Sequence, residues 1–206
     1  MSAVDTVVFD LGNVIFGWNP RHLYRKVFGD EAEMEDFLHT VCTMAWHLEH
    51  DRGATFRENA TVLKKEHPGW AELIDMWGAR FQEMIPGRLP GTREVIEALA
   101  ARGTMLHGIT NMPSEAYPML RERFDELRLL KVTVVSGDEG IVKPDRRIFD
   151  ILVERTGLDP ARALFIDDSR ANIEAAGELG FQVHHFAGAQ GLAGRLEALG
   201  LLPGEA

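Results

Sequence analysis

Four short stretches of this chain put reactive oxygen and nitrogen groups at positions where they could act. In Thr6-Val7-Val8-Phe9-Asp10-Leu11-Gly12-Asn13, an apolar, β-branched run ends in one carboxylate, and a Gly-Asn turn follows. A carboxylate delivered to a strand edge can attack phosphorus or carbon, or bind a metal ion. Thr110-Asn111 closes a second apolar run. A hydroxyl and an amide just ahead of a helix start can bind phosphate oxygens. Lys143 lies in Gly140-Ile141-Val142-Lys143-Pro144-Asp145. Pro144 suits the first turn of the next helix, so Lys143 projects from the loop before it. An ammonium there neutralises a nucleophilic carboxylate and an anionic substrate together. Asp167-Asp168 closes the run Leu164-Phe165-Ile166. Adjacent carboxylates at a buried strand end repel, and a divalent cation such as Mg²⁺, which takes oxygen ligands, relieves that repulsion. Each residue type also has a purely structural use, as a turn or helix cap for Asp, Thr and Asn and as a solvated surface group for Lys.

The elements that must position these groups follow from the apolar patterning. Strands are predicted over 6–10, 104–110, 131–136, 163–167 and 181–186. Helices are predicted over 92–102, 146–156, 171–179 and 190–199, each stopped by a glycine. This alternation predicts an α/β fold, a doubly wound, Rossmann-like parallel sheet, with ligands at the C-terminal strand edge. The spacing breaks once. Between the first two strands lies a helix-rich stretch, with helices predicted over 21–28, 31–41, 55–66 and 70–84, holding all four tryptophans. Residues 1–16 and 86–206 are therefore assigned to the core and 17–85 to an inserted helical cap, bounded by Gly17-Trp18-Asn19-Pro20 and Pro86-Gly87. Inserts beside an active-site loop often act as lids.

Composition narrows the partners. Of 206 residues, 45% are apolar and 26% charged, the proportions of an ordinary globular chain. No apolar run reaches the ~20 residues of a membrane span, and no basic segment leads into an apolar one as in a secretory signal. A net charge of −10 with no Lys/Arg cluster argues against nucleic acid. The single cysteine, Cys42, fits a reducing cytoplasm. The partner expected is a small anionic molecule, held by a locally positive site. The composition does not address oligomeric state.

The order of the four stretches resembles the motif set of the haloacid dehalogenase superfamily over essentially the whole chain. The likeness is strongest in Gly140-x-x-Lys143-Pro144 and in Phe165-Ile166-Asp167-Asp168-x-x-x-Asn172-Ile173. The insert resembles that superfamily's C1-type cap, and the opening Phe9-Asp10-Leu11-Gly12-Asn13-Val14 is similar to the α-D-glucose-1-phosphate phosphatase branch. The resemblance implies an Mg²⁺-dependent hydrolase of a small phosphorylated metabolite, a sugar phosphate among the candidates. Asp10 would be the nucleophile, forming an aspartyl-phosphate. Thr110 would bind phosphate, with Gly12, Asn13 and Asn111 beside it, and Lys143 would orient Asp10 and the phosphate. The metal would take Asp10, Asp168 and the Gly12 backbone carbonyl, with Asp167 as a further ligand or a supporting partner.

One departure stands out. Most phosphatases of this superfamily carry Asp two residues after the nucleophile, as general acid and base, and here that position is Gly12. A glycine there fits a turn with positive φ. Candidates to replace the missing group are His47, His50 and Asp51, with Arg52 beside them as a further cap residue. Two alternatives remain open at this level. In a 2-haloacid dehalogenase Asp10 would attack carbon without a metal, although Asp167-Asp168-Ser169 differs from the Ser-Ser-Asn that dehalogenases resemble. In a non-catalytic binding protein the fold would persist without the reaction.

Overall fold

A computed structural model describes residues 3–204. The apolar run at the start forms β1 (Thr6–Phe9), followed by α1 (Arg21–Tyr24), α2 (Glu31–Thr40), α3 (Met44–Asp51), α4 (Phe56–Glu66) and α5 (Ala71–Ala79). Strand and helix then alternate: α6 (Thr92–Ala101), β2 (Met105–Thr110), α7 (Ala116–Arg123), β3 (Thr133–Val135), α8 (Ser136–Glu139), α9 (Arg146–Thr156), β4 (Ala163–Asp167), α10 (Arg170–Glu178), β5 (Gln182–His185) and α11 (Ala189–Ala198).

All five strands are parallel, in the order β3-β2-β1-β4-β5. Strand order reverses around β1, which pairs with β2 on one side and β4 on the other. That is the switch point where open α/β sheets hold ligands at their C-terminal edge. Phe9 pairs with Gly108 and with Ile166, and the Asp10 amide donates to the Ile166 carbonyl at 2.8 Å. Asp10 and Asp167 therefore leave neighbouring strands at the same level. Side chains alternate across the sheet with period two. Val7 and Phe9 enter one buried cluster; Val8, Ile109 and Phe165 enter another with Ile148, Phe149 and Leu152 of α9.

The helices between β1 and β2 share the first of these clusters. Tyr24, Phe37 and Trp77 are continuous with Leu99 and Phe124 beneath. The chain enters and leaves this segment through paired backbone: Gly17 N–H donates to Gly87 at 3.1 Å, Asn19 to Met84 at 2.9 Å, and Leu89 to Ile15 at 2.9 Å. At its far end the segment touches the sheet side closely. An added Cβ at Gly53 (φ +102°) would lie 2.8 Å from the Gly137 carbonyl oxygen.

Several boundaries differ from the sequence expectation. The helix predicted over 21–28 stops at Tyr24, and Lys26 and Val27 continue with three-residue bonds to Leu23 and Tyr24. The helix predicted over 70–84 breaks at Arg80 (φ −123°), after which Phe81–Met84 is a 3-10 turn that buries Phe81 and Met84. Three helices were not predicted: α3, the short α8, and α7. Of these, α7 carries Pro118 in its first turn, where the missing N–H has no intrahelical partner to lose. Pro144 lies two residues before α9, whose N-cap is Asp145, with its carboxylate accepting from the Arg147 amide.

Candidate active site

Lys143 is the centre of the site. Its side chain is 1% exposed, and Nζ makes three contacts: the Ile109 carbonyl at 3.0 Å, Asp167 Oδ2 at 2.6 Å and Asp10 Oδ1 at 2.9 Å. The three hydrogens of an ammonium match those three acceptors. Its backbone is clamped from both sides by Asn111, whose amide nitrogen donates to the Lys143 carbonyl at 3.0 Å and whose oxygen accepts from the Lys143 N–H at 2.8 Å. Burial works against the charge on Lys143, but the carboxylates of Asp10 and then Asp167 outweigh it and hold its pKa above the ordinary value.

Asp167 is fully buried and its two oxygens are fully engaged. The Ser169 amide and the Asn172 side chain bond Oδ1, and Asn172 and Lys143 bond Oδ2. The two adjacent carboxylates are thus split. Asp167 turns inward to the lysine, while Asp168 is exposed. The signal for the Asn172 contact was present in the Asp-Asp-x-x-x-Asn spacing, although no role followed from it.

Asp10 is 7% exposed. Oδ1 accepts from Lys143 and from the Leu11 amide at 2.8 Å. Among the described residues nothing donates to Oδ2. Burial raises the carboxyl to about 7, against the pull of Lys143 and with the help of Asp167.

The loop after β1 is tied down internally. The Leu11 carbonyl accepts from Val14, Ile15 and Phe16, and Phe16 accepts from Asn13, which leaves the Gly12 carbonyl without a donor among the described residues. Asn13 takes the left-handed conformation (φ 55°) and accepts from the Trp18 amide through its side-chain oxygen. Gly12 does not have the positive φ expected for it, and a Cβ there would meet nothing within 4 Å.

Oxygens of Asp10, Asp167 and Asp168 lie within 4.8 Å of one another. Asp167 is occupied by Lys143, so the carboxylates free to bind a cation are Asp10 and Asp168, with the Gly12 carbonyl nearby. A hard, oxygen-seeking divalent ion suits that donor set.

Above these groups is a cavity of about 320 Å³. Asp10, Gly12, Asn13, Asn111, Lys143 and Asp168 line its floor. His47 and Asp51 reach it from α3, whereas His50 and Arg52 do not. His50 is buried behind, 3.1 Å from Asn59 Nδ2, and Arg52 is exposed and pairs with Glu49. Thr110 is buried at the end of β2 and is not part of the cavity wall. His47 stacks on Trp18 at 4.7 Å, with Nε2 3.7 Å from Asp51 Oδ1. Burial pushes His47 down to about 3, so it is neutral at pH 7. Burial, and then the charge of Asp10, pushes Asp51 up to about 7. The upper wall consists of Phe16, Trp18, Met44, Phe81, Ile85 and Met112, which no sequence motif marks. They come from separate elements, and only folding assembles them.

The profile of the haloacid dehalogenase-like hydrolase family matches residues 4–180. A sesquiterpene phosphatase of Aspergillus oryzae is 24% identical over 84% of this chain and 85% of its own length. Acyl-CoA dehydrogenase family member 10 of Mus musculus is 34% identical over 48% of this chain, and there the chain spans only 9% of the relative. Among solved structures, a haloacid dehalogenase family enzyme from Bacteroides thetaiotaomicron in its magnesium complex superposes with a TM-score of 0.68. It is 21% identical and is matched over 89% of this chain and 93% of that one.

Proposed function

Because the chain belongs to the haloacid dehalogenase-like hydrolase family, we propose that it is a Mg²⁺-dependent phosphomonoesterase acting on a small phosphorylated molecule. The observation that carries this reading is the Asp10–Lys143–Asp167 chain, with Asp168 free beside it. Phosphoryl transfer is mostly positioning and charge neutralisation, and this arrangement provides both. A phosphatase among the relatives and a magnesium complex among the fold's neighbours support it.

In this reading Oδ2 of Asp10 attacks phosphorus, while Oδ1 stays fixed by Lys143 and the Leu11 amide. The ester oxygen leaves as the Asp10 phosphoryl bond forms, and water then cleaves the aspartyl-phosphate. Lys143 offsets negative charge on both partners. Asp10, Asp168 and the Gly12 carbonyl would hold Mg²⁺, which supplies Lewis-acid neutralisation of the phosphoryl oxygens. Of the three groups considered as replacements for an acid at position 12, Asp51 fits best. It lines the cavity, its Oδ1 has no hydrogen-bond partner, and its raised pKa keeps a proton available near neutrality. Thr110 and Asn111 act in this reading by shaping the strand end and fixing Lys143. Residues 17–85 serve as the cap, since they carry Asp51 over Asp10. Cys42, free and buried, is in keeping with a cytoplasmic location.

The test is hydrolysis of p-nitrophenyl phosphate with Mg²⁺ and after exhaustive chelation, for the wild type and Asp10→Asn. Turnover is expected only for the wild type with metal. The amide variant should be slower by on the order of 10⁴-fold or more, with an unchanged circular-dichroism spectrum. Metal-independent release of halide from a 2-haloacid would instead establish the dehalogenase alternative.

A further inference from the structure

The cavity has two ends of opposite character. Its floor holds the carboxylates of Asp10 and Asp168 and the ammonium of Lys143. Its upper wall is made by Phe16, Trp18, Met44, Phe81, Ile85 and Met112, with Pro113 and Pro144 at the sides. Most of that wall is packed in place: Phe16, Phe81, Ile85 and Met112 are each 5% exposed or less. Phe16 stacks on Phe124 at 5.0 Å, and Phe81 packs on Phe56 at 5.3 Å. The wall therefore cannot easily turn polar groups inward.

Charge is equally one-sided. Lys143 is the one cation among the described residues that line the cavity, and all three of its hydrogens are engaged by Ile109, Asp167 and Asp10. Asp10, Asp51 and Asp168 are acidic. A substrate with a second phosphate or a carboxylate would bring that group against an apolar wall or a carboxylate, with no cation to receive it. A polyol would meet little more. Of the polar side chains that line it, Asn13, Asn111 and Asn172 are engaged by Trp18, Lys143 and Asp167, which leaves His47, Asp51 and Ser169 for the ester oxygen and one further group.

We propose that the leaving group is apolar: the substrate is a monophosphate ester of a compact hydrophobic alcohol or phenol, with no second anionic group. This rests on the phosphomonoesterase reading and narrows it. It moves away from the sugar phosphates that the opening motif suggests, whose hydroxyls would be buried unpaired against the wall.

The experiment measures kcat/KM with Mg²⁺ for p-nitrophenyl phosphate, a ladder of n-alkyl phosphates from ethyl to hexyl, glycerol 3-phosphate, glucose 1-phosphate and 2-phosphoglycolate. The alkyl ladder should climb about fourfold for each methylene until the cavity fills, and hexyl phosphate should exceed the polyol and two-anion esters at least tenfold. Met44, exposed at the cavity mouth, can be replaced without disturbing the core. Met44→Lys should lower kcat/KM for hexyl phosphate and raise it for 2-phosphoglycolate. If p-nitrophenyl phosphate is hydrolysed but the ladder is flat, or a polyol or two-anion ester is preferred, the apolar assignment is wrong while the phosphatase reading stands. If no ester is turned over, the phosphatase reading fails and this one fails with it.

Discussion

Lys143 and Asp167 form a buried ion pair whose separate halves are far less tolerable than the pair. Removing one partner of such a pair typically destabilises by about 3–5 kcal/mol, because the other charge stays buried. Lys143→Ala leaves both Asp10 and Asp167 uncompensated, so a loss of that size is expected in urea unfolding with chelator present. Adding Asp167→Ala to Lys143→Ala should recover part of it. If the two losses simply add, the lysine is not the partner that Asp167 requires. The sequence made Asp10 and Lys143 legible because each follows a short, ordered pattern. It could not show that the adjacent carboxylates divide, one inward to the lysine and one toward solvent, because that choice depends on a residue 24 positions away. The proton-donor role proposed for Asp51 gives a second test at this scale. Asp51→Asn should slow turnover of alkyl phosphates by about 10²–10⁴-fold, with a smaller effect on p-nitrophenyl phosphate, whose leaving group needs no proton. The fall in wild-type rate as pH rises past about 7 should disappear with it. Gly12 has ordinary backbone geometry and open space around it, so Gly12→Asp in the Asp51→Asn background should restore part of the alkyl-phosphate rate.

Among the elements that apolar periodicity missed (α3, α7 and the short α8), α3 is the one that reaches the cavity floor's acidic groups with its own. Its buried residues are His47, His50 and Asp51, and a helix whose inner face is polar gives no apolar stripe to read. The strands and the helices α6, α9, α10 and α11, by contrast, bury Val, Ile, Leu and Phe, and their positions were readable to within a few residues. The same polar burial makes α3 sensitive to acid. Burial lowers His47 to about 3 and His50 to about 4, below their ordinary 6.5. As pH falls from 6.5 toward those values, the unfolded chain takes up protons that the folded chain refuses, so stability drops. Each such histidine contributes roughly 1.4 kcal/mol per pH unit within that window. Asp51 and Asp10, raised by burial, act in the opposite direction, so the informative quantity is a difference. His47→Phe keeps a ring against Trp18 and should show a shallower loss of stability between pH 6 and 4 than the wild type. Equal slopes would mean that His47 is protonated in the folded protein.

At the scale of the whole molecule, the sheet and the helices above it meet at a floor, a wall and one close backbone contact. That contact is Gly53 against Gly137, and nothing in the sequence marks it, since the two residues are far apart along the chain. Gly53→Ala would place a methyl 2.8 Å from a carbonyl oxygen at a φ of +102°. A penalty of about 1–3 kcal/mol is expected, read as a lower Tm, together with a lower kcat/KM as α3 shifts and carries Asp51 with it. An unchanged kcat/KM would show that the contact does not set the position of Asp51. The opposite end of the helical segment has a different meaning. Its entry and exit strands lie side by side, joined rung to rung from Ile15–Leu89 to Asn19–Met84. Topologically, everything between is a detour that returns to its own starting point, and the register of β1 against β2 and β4 carries no trace of its length. A lineage could lengthen, shorten or exchange that detour by whole helices and keep Asp10, Lys143 and Asp167 where they are. The one condition is that the replacement bring an apolar underside for the shared cluster below. Asp10 and Lys143 would then be inherited on one piece of the chain, and Asp51 with the rest of α3 on the other, the two joined by a single ladder.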